Sequence, residues 1–286
     1  MTQQTMVMAI AYRRMDESDL PAAHRLSQDL RWPYRLEDWQ FLLRLGTGFV
    51  AEEDGAVIGT GLCWKQGERH GTLGAIIVSP ERQGKGIGRQ LMKRVMDALG
   101  SRCALLNATI AGLPLYQSLG FTPIGTIHQH QGTLLAVPPV VLPDGESIRP
   151  VTANDTARLV ELSNRATGMA RDEVLQQLAG MAQGAALERN GELVGFSMMR
   201  RFGLGHAIGP VVAPDSERTA ALVTCWAAAY AGAFVRVDVT GTSGLGDRLT
   251  AMGLKQVDTV VTMARNGVPV PDEGLQQLAV LNQSLF

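Results

Sequence analysis

The chain has 286 residues, long enough for two domains of ordinary size, and its 45% hydrophobic and 19% charged content is that of a soluble globular protein. A formal net charge of -1 gives no general electrostatic attraction to nucleic acid or to an anionic membrane. No run approaches the roughly 18 apolar residues that a membrane-spanning helix needs.

The opening MTQQTMVMAIAYRRM lacks a basic start followed by a long apolar core, so no signal peptide is expected. Ile10 to Arg13 reads as a strand. Asp16-Glu17-Ser18-Asp19 can cap a helix through Leu20, Ala23 and Leu26. Trp32-Pro33-Tyr34 interrupts it, and Leu36 to Leu43 continues as a second helix. Phe49–Glu53 and Ala56–Trp64 form a hairpin around Asp54-Gly55, a type I′ signal. After the polar loop 66–69, Ala75-Ile76-Ile77-Val78 is a β-branched strand that Ser79-Pro80 stops. Leu91, Met92, Val95 and Met96 then recur at helical spacing. Ala104–Ala108 reads as a strand, Leu113–Leu119 as a short helix ended by Gly120, and Phe121–Ile124 and Ile127–Leu135 as strands. Val137 to Gly145 carries three prolines and reads as a linker. Cys63, Cys103 and Cys225 are far apart with no C-x-x-C, which suits reduced, mostly buried thiols in the cytoplasm.

Between the strand ending at Val78 and the helix after it runs Gln83-Gly84-Lys85-Gly86-Ile87-Gly88-Arg89. Alternate glycines let the backbone approach a ligand, and a helix N-terminus adds unsatisfied N–H donors and partial positive charge. Together they suit a phosphate or pyrophosphate, with Lys85 and Arg82 adding charge nearby. No Gly-Lys-Ser/Thr follows, so the Walker loop is excluded. The G-x-G-x-G spacing, four residues beyond the strand, fits the dinucleotide fingerprint poorly.

The composite V-x-P followed by Q-x-x-G-x-G resembles the acyl-CoA-binding motif of the GNAT N-acetyltransferase superfamily. Val78-Ser79-Pro80 and Gln83 to Gly88 carry the resemblance. It implies acetyl-CoA as cosubstrate, gripped by backbone groups of Ile76, Ile77 and Val78, with the amides of Gln83, Gly84, Lys85, Gly86, Ile87, Gly88 and Arg89 around the pyrophosphate. The family's acid is often a tyrosine before L-G-F. Tyr116 in Leu115-Tyr116-Gln117-Ser118-Leu119-Gly120-Phe121 fits, and a phenol near pKa 10 can protonate a leaving thiolate. Many members carry N-x-x-A seven and four residues before that tyrosine; Thr109 and Gly112 stand there, and Asn107 is two residues early.

The second half repeats the first. Arg13, Asp19 and Ser27 return as Arg149, Asp155 and Ser163, a shift of 149 − 13 = 136, and Gly55–Gly59 returns as Gly191–Gly195. Val78-Ser-Pro80 matches Val212-Ala-Pro214, and Leu119–Phe121 matches Met252–Leu254, at shifts of 134 and 133. After Pro214 comes Asp215-Ser216-Glu217, with acids and no glycine, and no tyrosine lies in the matching helix, so this copy should be silent. Gly241–Gly246 resembles a phosphate loop but maps after the strand at Leu106, where a flexible turn is expected. The expected architecture is α+β: two tandem GNAT-like domains, each a mixed, mostly antiparallel twisted sheet flanked by helices. They are residues 1–136, a linker at 137–146, and a divergent copy at 147–286.

Acetyl transfer to an amine by direct attack also needs a proton acceptor. Glu37, Asp38, Glu68 and His70 are candidates, and a water relay would also serve. Trp32, Tyr34 and Trp39 are candidates for lining the acceptor pocket or for the core. His128 and His130 share a strand face but lack a third ligand, so no metal is expected. The expected partners are a small-molecule or peptide amine acceptor and, as a further expectation, a second copy in a homodimer; neither nucleic acid nor a membrane is expected. A CoA-sensing protein without turnover, and a nicotinamide or nucleotide enzyme using the glycine loop, are the competing readings.

Overall fold

A computed structural model describes residues 10–286, so the first nine residues of the stretch read for a leader lie outside it. The chain divides into two compact units, one formed by residues up to Trp64 together with Leu73–Gly100, the other by Lys65–Thr72 and Ser101–Phe286. This division does not follow the linker at 137–146.

In the first unit the elements are β1 (Ala11–Arg14), α1 (Leu20–Asp29), α2 (Leu36–Leu45), β2 (Thr47–Glu53), β3 (Ala56–Gln66), β4 (His70–Val78) and α3 (Ile87–Leu99), except that the end of β3 at 65–66 and the start of β4 at 70–72 count with the second unit. Its strands lie in the order β1-β2-β3-β4. Asp16 accepts a hydrogen bond from the Ser18 N–H and starts the turn that leads into α1. The β2–β3 turn has φ 54° at Asp54 and 76° at Gly55, both positive as a type I′ turn requires. Trp39 is fully buried, its Nε1 donating to Ser27 Oγ at 3.1 Å, so it belongs to the core and not to a pocket wall. Ile87 and Leu91 of α3 pack on Ala51 and Ile58 of β2 and β3.

The second unit contains β5 (Cys103–Ala108), α4 (Leu113–Ser118), β6 (Thr122–Thr133), β7 (Glu146–Pro150), α5 (Thr156–Thr167), α6 (Asp172–Ala179), β8 (Gln183–Arg189), β9 (Glu192–Phe202), β10 (Gly205–Ala213), α7 (Ser216–Thr224), α8 (Ala227–Tyr230), β11 (Phe234–Thr240), α9 (Gly246–Ala251), β12 (Lys255–Arg265) and β13 (Gln276–Ala279). The strand order is β5-β12-β6-β11-β13-β10-β9-β8-β7. Among the described residues of this unit, pairing is antiparallel except where β10 meets β11 and where residues 70–72 meet β5. The sheet is thus mixed and mostly antiparallel.

Two features depart from a simple pair of sequence halves. β12 of the second half lies between β5 and β6 of the first, pairing Val261 with Ala108 on one side and Val260 with Ile127 on the other. The 134–145 connection has no regular structure, but Val137, Val140 and Leu142 pack on the core around Leu222, Val235 and Trp226, so it is a strap and not a loose linker. β6 is also one strand where two were expected. Pro123 is tolerated because β11 joins only from Ile127 on, leaving that end of β6 with β12 as its neighbour.

The repeat seen in sequence has a physical origin. Arg13 Nη1 and Nη2 clasp Asp19 at 2.8 and 2.7 Å while its Nε reaches Glu52. Arg149 clasps Asp155 at 2.8 and 2.9 Å while its Nε reaches Glu188. Each network ties a strand, a helix start and a hairpin together, so the same three residues recur at the same spacing.

Candidate active site

β4 carries the first part of the site. Ala75, within this strand and buried, has φ +50°, a left-handed conformation that L-residues adopt at a cost of about 1–2 kcal/mol. Thr60 of β3 donates its hydroxyl to the Ala75 carbonyl at 2.8 Å. Further along, the Ser79 N–H donates to the Ile58 carbonyl at 2.8 Å, and a Cβ on Gly59 would stand 2.9 Å from the Ile77 carbonyl oxygen. The backbone of Ala75, Ile77 and Ser79 is therefore turned to β3. By strand alternation, Ile76 and Val78 turn their N–H and C=O groups the other way, off the edge of the unit's sheet. Ile77 is 1% exposed and serves the core with its side chain.

The glycine loop follows. After a 3-10 turn at Pro80–Arg82, Gly84 and Gly86 take φ of +77° and +78°. A Cβ at either would meet nothing within 4 Å, so their conformation, and not crowding by protein, calls for glycine. Gly86 is the N-cap of α3, and no side chain caps that helix. The helix start at Ile87 and Gly88 follows the exposed loop 83–86, an arrangement that could hold an anion. Lys85 is exposed beside them. Arg82 is not available in the same way: it is ion-paired with Glu53. The Gln83 side chain folds back to the Val78 carbonyl at 3.2 Å, leaving its backbone for a ligand.

Tyr116 belongs to the second unit, on α4. Its ring packs edge-on to Phe121 at 6.3 Å and over Gly112, where a Cβ would come within 2.8 Å of the ring. Burial pushes the phenol up to about 12, so it stays protonated at neutral pH. Asn107 has other uses: its Nδ2 donates to the Gln283 carbonyl at 2.9 Å and its Oδ1 accepts from Thr262 at 2.7 Å.

The proposed bases separate by environment. Asp38 is 3% exposed and clasped by Arg35 at 2.8 Å, which makes it a cap for α2. Glu37 and Glu68 are exposed. His70 starts β4, with burial first and then Arg69 lowering its pKa. Sequence reading expected the helix α1 but placed no functional residue on it. There His24, Arg25, Gln28 and Asp29 line a cavity of about 390 Å³ beside Val57, Ile58 and Ser79, one residue beyond Val78. It also passed over Thr60 and Ala75. Gly74-Ala75 carries no sign of a left-handed residue, because alanine rarely adopts one.

No disulfide joins the three cysteines, all of them among the described residues, and burial raises the Cys103 thiol and pushes Cys225 up to about 12, so neither of these two is a thiolate at neutral pH. Among the described residues no group of three His, Cys, Asp or Glu is placed to hold a metal ion. His130 is buried with Nδ1 3.1 Å from the Leu254 carbonyl. Also among them, no helix is long and apolar enough to cross a membrane.

The second copy has the same frame, filled differently. The parallel β4–β5 ladder runs from His70↔Cys103 to Thr72↔Leu105; that of β10–β11 runs from His206↔Val235 to Ile208↔Val237. Gly209, at φ +154°, then takes the place of Ala75. Beyond it β13 pairs with β10 from Val211↔Ala279 to Ala213↔Gln276 and touches β11 at Val239. The edge that corresponds to Ile76–Val78 is therefore occupied by the chain itself. α7 is capped by Asp215, whose Oδ1 accepts from the Arg218 N–H at 2.8 Å. There the helix start is capped by a side chain and the strand edge is paired. The Gly241–Gly246 segment is a turn, with Ser243 N–H on the Thr240 carbonyl, that leads into α9.

Residues 12–121 match the model of the acetyltransferase (GNAT) family, and residues 159–278 match that of an acetyltransferase (GNAT) domain. The chain is 26% identical over 251 residues to the uncharacterized N-acetyltransferase YitH of Bacillus subtilis, covering 86% of this chain and 88% of that protein. A putative acetyltransferase from Pyrococcus horikoshii superposes with a TM-score of 0.78 at 16% identity, over 100% of this chain and 99% of the other. A tandem GNAT protein from the clavulanic acid biosynthesis pathway superposes with a TM-score of 0.62 at 15% identity, over 91% and 99%. These two likenesses show the fold, and the family matches lie on both sequence halves: the chain belongs to the GNAT superfamily as a tandem member and is an acyl-CoA-dependent N-acetyltransferase.

Proposed function

We propose that the chain transfers the acetyl group of acetyl-CoA to a primary amine by direct attack, with one working cofactor site per chain, in the first sequence half. The observation that carries this reading is the uncapped N-terminus of α3 behind two left-handed glycines with open space at their Cα atoms. These residues fit a pyrophosphate: Gln83 to Arg89 supply backbone N–H donors, and Lys85 supplies charge. The edge groups of Ile76 and the N–H of Val78 hold the extended arm as a neighbouring strand would, and Ile77 anchors that edge to the core. In the reaction the amine nitrogen bonds to the thioester carbon and the C–S bond breaks. An Ile76 N–H aimed off the edge stabilises the charge on the oxygen. The Tyr116 hydroxyl gives its proton to the departing sulfur. The amine proton leaves to a base or to a water relay.

The acceptor is a small-molecule or peptide amine. The tandem division at residues 137–146 is the duplication boundary, and the copy at 147–286 is silent because Asp215 and β13 take the ligand's places. Cysteines without a disulfide suit the cytoplasm. The test is thiol release from acetyl-CoA with a panel of amines. Turnover with an amine supports the transferase; tight CoA binding without turnover of any acyl-CoA leaves a sensing protein.

A further inference from the structure

Ala75 holds a conformation that its side chain opposes, and one buried hydroxyl meets it. Thr60 is fully buried and donates to the Ala75 carbonyl at 2.8 Å. A trans peptide points its C=O and N–H in opposite directions. Drawing the Ala75 oxygen to β3 therefore turns the Ile76 N–H away from β3, off the open edge. The neighbouring groups lock this alternation: Ser79 N–H on the Ile58 carbonyl at 2.8 Å below, and Gly59 close under the Ile77 carbonyl. The left-handed φ of +50° at Ala75 sits at the one peptide whose orientation the reaction needs.

We infer that Thr60 is a positioning residue for acyl transfer: its hydroxyl fixes the Ala75–Ile76 peptide so that the Ile76 N–H points at the thioester oxygen. This rests on the transferase reading above. Thr60 itself lies inside the core and touches no substrate, so it acts only through that peptide. A backbone donor is worth most when it is already aimed, because no reorganisation is then left for the reaction itself. The second copy gives the contrast. Its corresponding position is Gly209, which needs no such support, and β13 occupies the edge there.

The experiment uses Thr60→Val, which keeps the shape and removes the hydroxyl, and Thr60→Ser, which restores the donor. CoA has no acyl oxygen, so its affinity should stay within about threefold of the parent in both variants. With acetyl-CoA and a working amine, kcat of Thr60→Val should fall by roughly tenfold or more with KM little changed, and Thr60→Ser should recover most of it. The infrared C=O stretch of bound, carbonyl-labelled acetyl-CoA should shift down in the parent and in Thr60→Ser, and move back towards the free value in Thr60→Val. Unchanged kcat and carbonyl stretch in Thr60→Val overturn the inference while leaving the transferase standing, as does a Thr60→Ser variant no better than Thr60→Val. If Thr60→Val fails to fold, Thr60→Ser and Thr60→Ala are compared by the same carbonyl stretch: a shift retained by serine and lost by alanine supports the inference, and equal shifts overturn it. A parent that neither binds acetyl-CoA nor turns it over removes both readings.

Discussion

Gly86→Asp isolates the anion cradle. At φ +78° and ψ 2° the new side chain has space, since a Cβ there meets nothing within 4 Å. The fold then bears only the left-handed backbone, about 1 kcal/mol for a residue that visits this region. A ligand fares worse. A carboxylate about 4 Å from a phosphate oxygen repels it by roughly 4 kcal/mol at an effective dielectric of about 20, close to three decades in affinity. Salt screening at an exposed loop reduces this, so about a hundredfold is the smaller bound. The carboxylate also caps α3 itself, as Asp215 does for α7. Calorimetric titration with CoA, beside thermal unfolding, reads both effects. Gly86→Ala is the control, with strain and no charge, and should bind more tightly than Gly86→Asp. A folded Gly86→Asp protein that binds CoA within threefold of the parent would refute the cradle.

Three further outcomes are expected. Tyr116→Phe should lower kcat by roughly a hundredfold with CoA affinity unchanged, and an undiminished rate would end its role as acid. Because desolvation raises this half-buried phenol to about 12, no loss of rate below about pH 11 should trace to it; a limb near pH 10 that vanishes in Tyr116→Phe would contradict the raised phenol. Arg149 and Thr152 hold the Asp155 carboxyl below the usual carboxylate range. Its stabilisation is complete above the unfolded value near pH 4 and is lost as pH falls further, so Asp155→Asn should cost about 1–3 kcal/mol at pH 7 by urea unfolding and flatten the acid dependence below pH 4. An equally steep acid loss in the variant would count against this pair. Asn107→Leu should cost about 1–3 kcal/mol, through the bonds to Gln283 and Thr262, and leave CoA affinity alone. Weakened CoA binding at full stability would return the asparagine to the ligand.

Much of the first unit was legible because its signals are local. The hairpin at Asp54-Gly55, the cap at Asp16 and the glycine loop each depend on residues a few positions apart, and the structure has all three. The repeat was legible because Arg149–Asp155 performs the same bonding as Arg13–Asp19. What escaped depends on distant pairing. Nothing in Lys255–Arg265 says that it will insert between β5 and β6, since an alternating strand pairs equally well with many neighbours. Gln276–Ala279 gave no sign of filling the edge of β10. The left-handed backbone at Ala75 was hidden because an alanine looks the same in any backbone, and its support, Thr60, lies fifteen residues back on another strand. Arg82 was expected to add charge beside the loop and is paired with Glu53.

The central claim is a single working cofactor site beside a copy whose places are taken by its own chain. Calorimetric titration of the whole chain with acetyl-CoA, counting sites, tests it most directly. The account predicts one site per chain, lost in Gly86→Asp. Two sites would contradict the closed second copy, and none would contradict the cradle and the transferase with it.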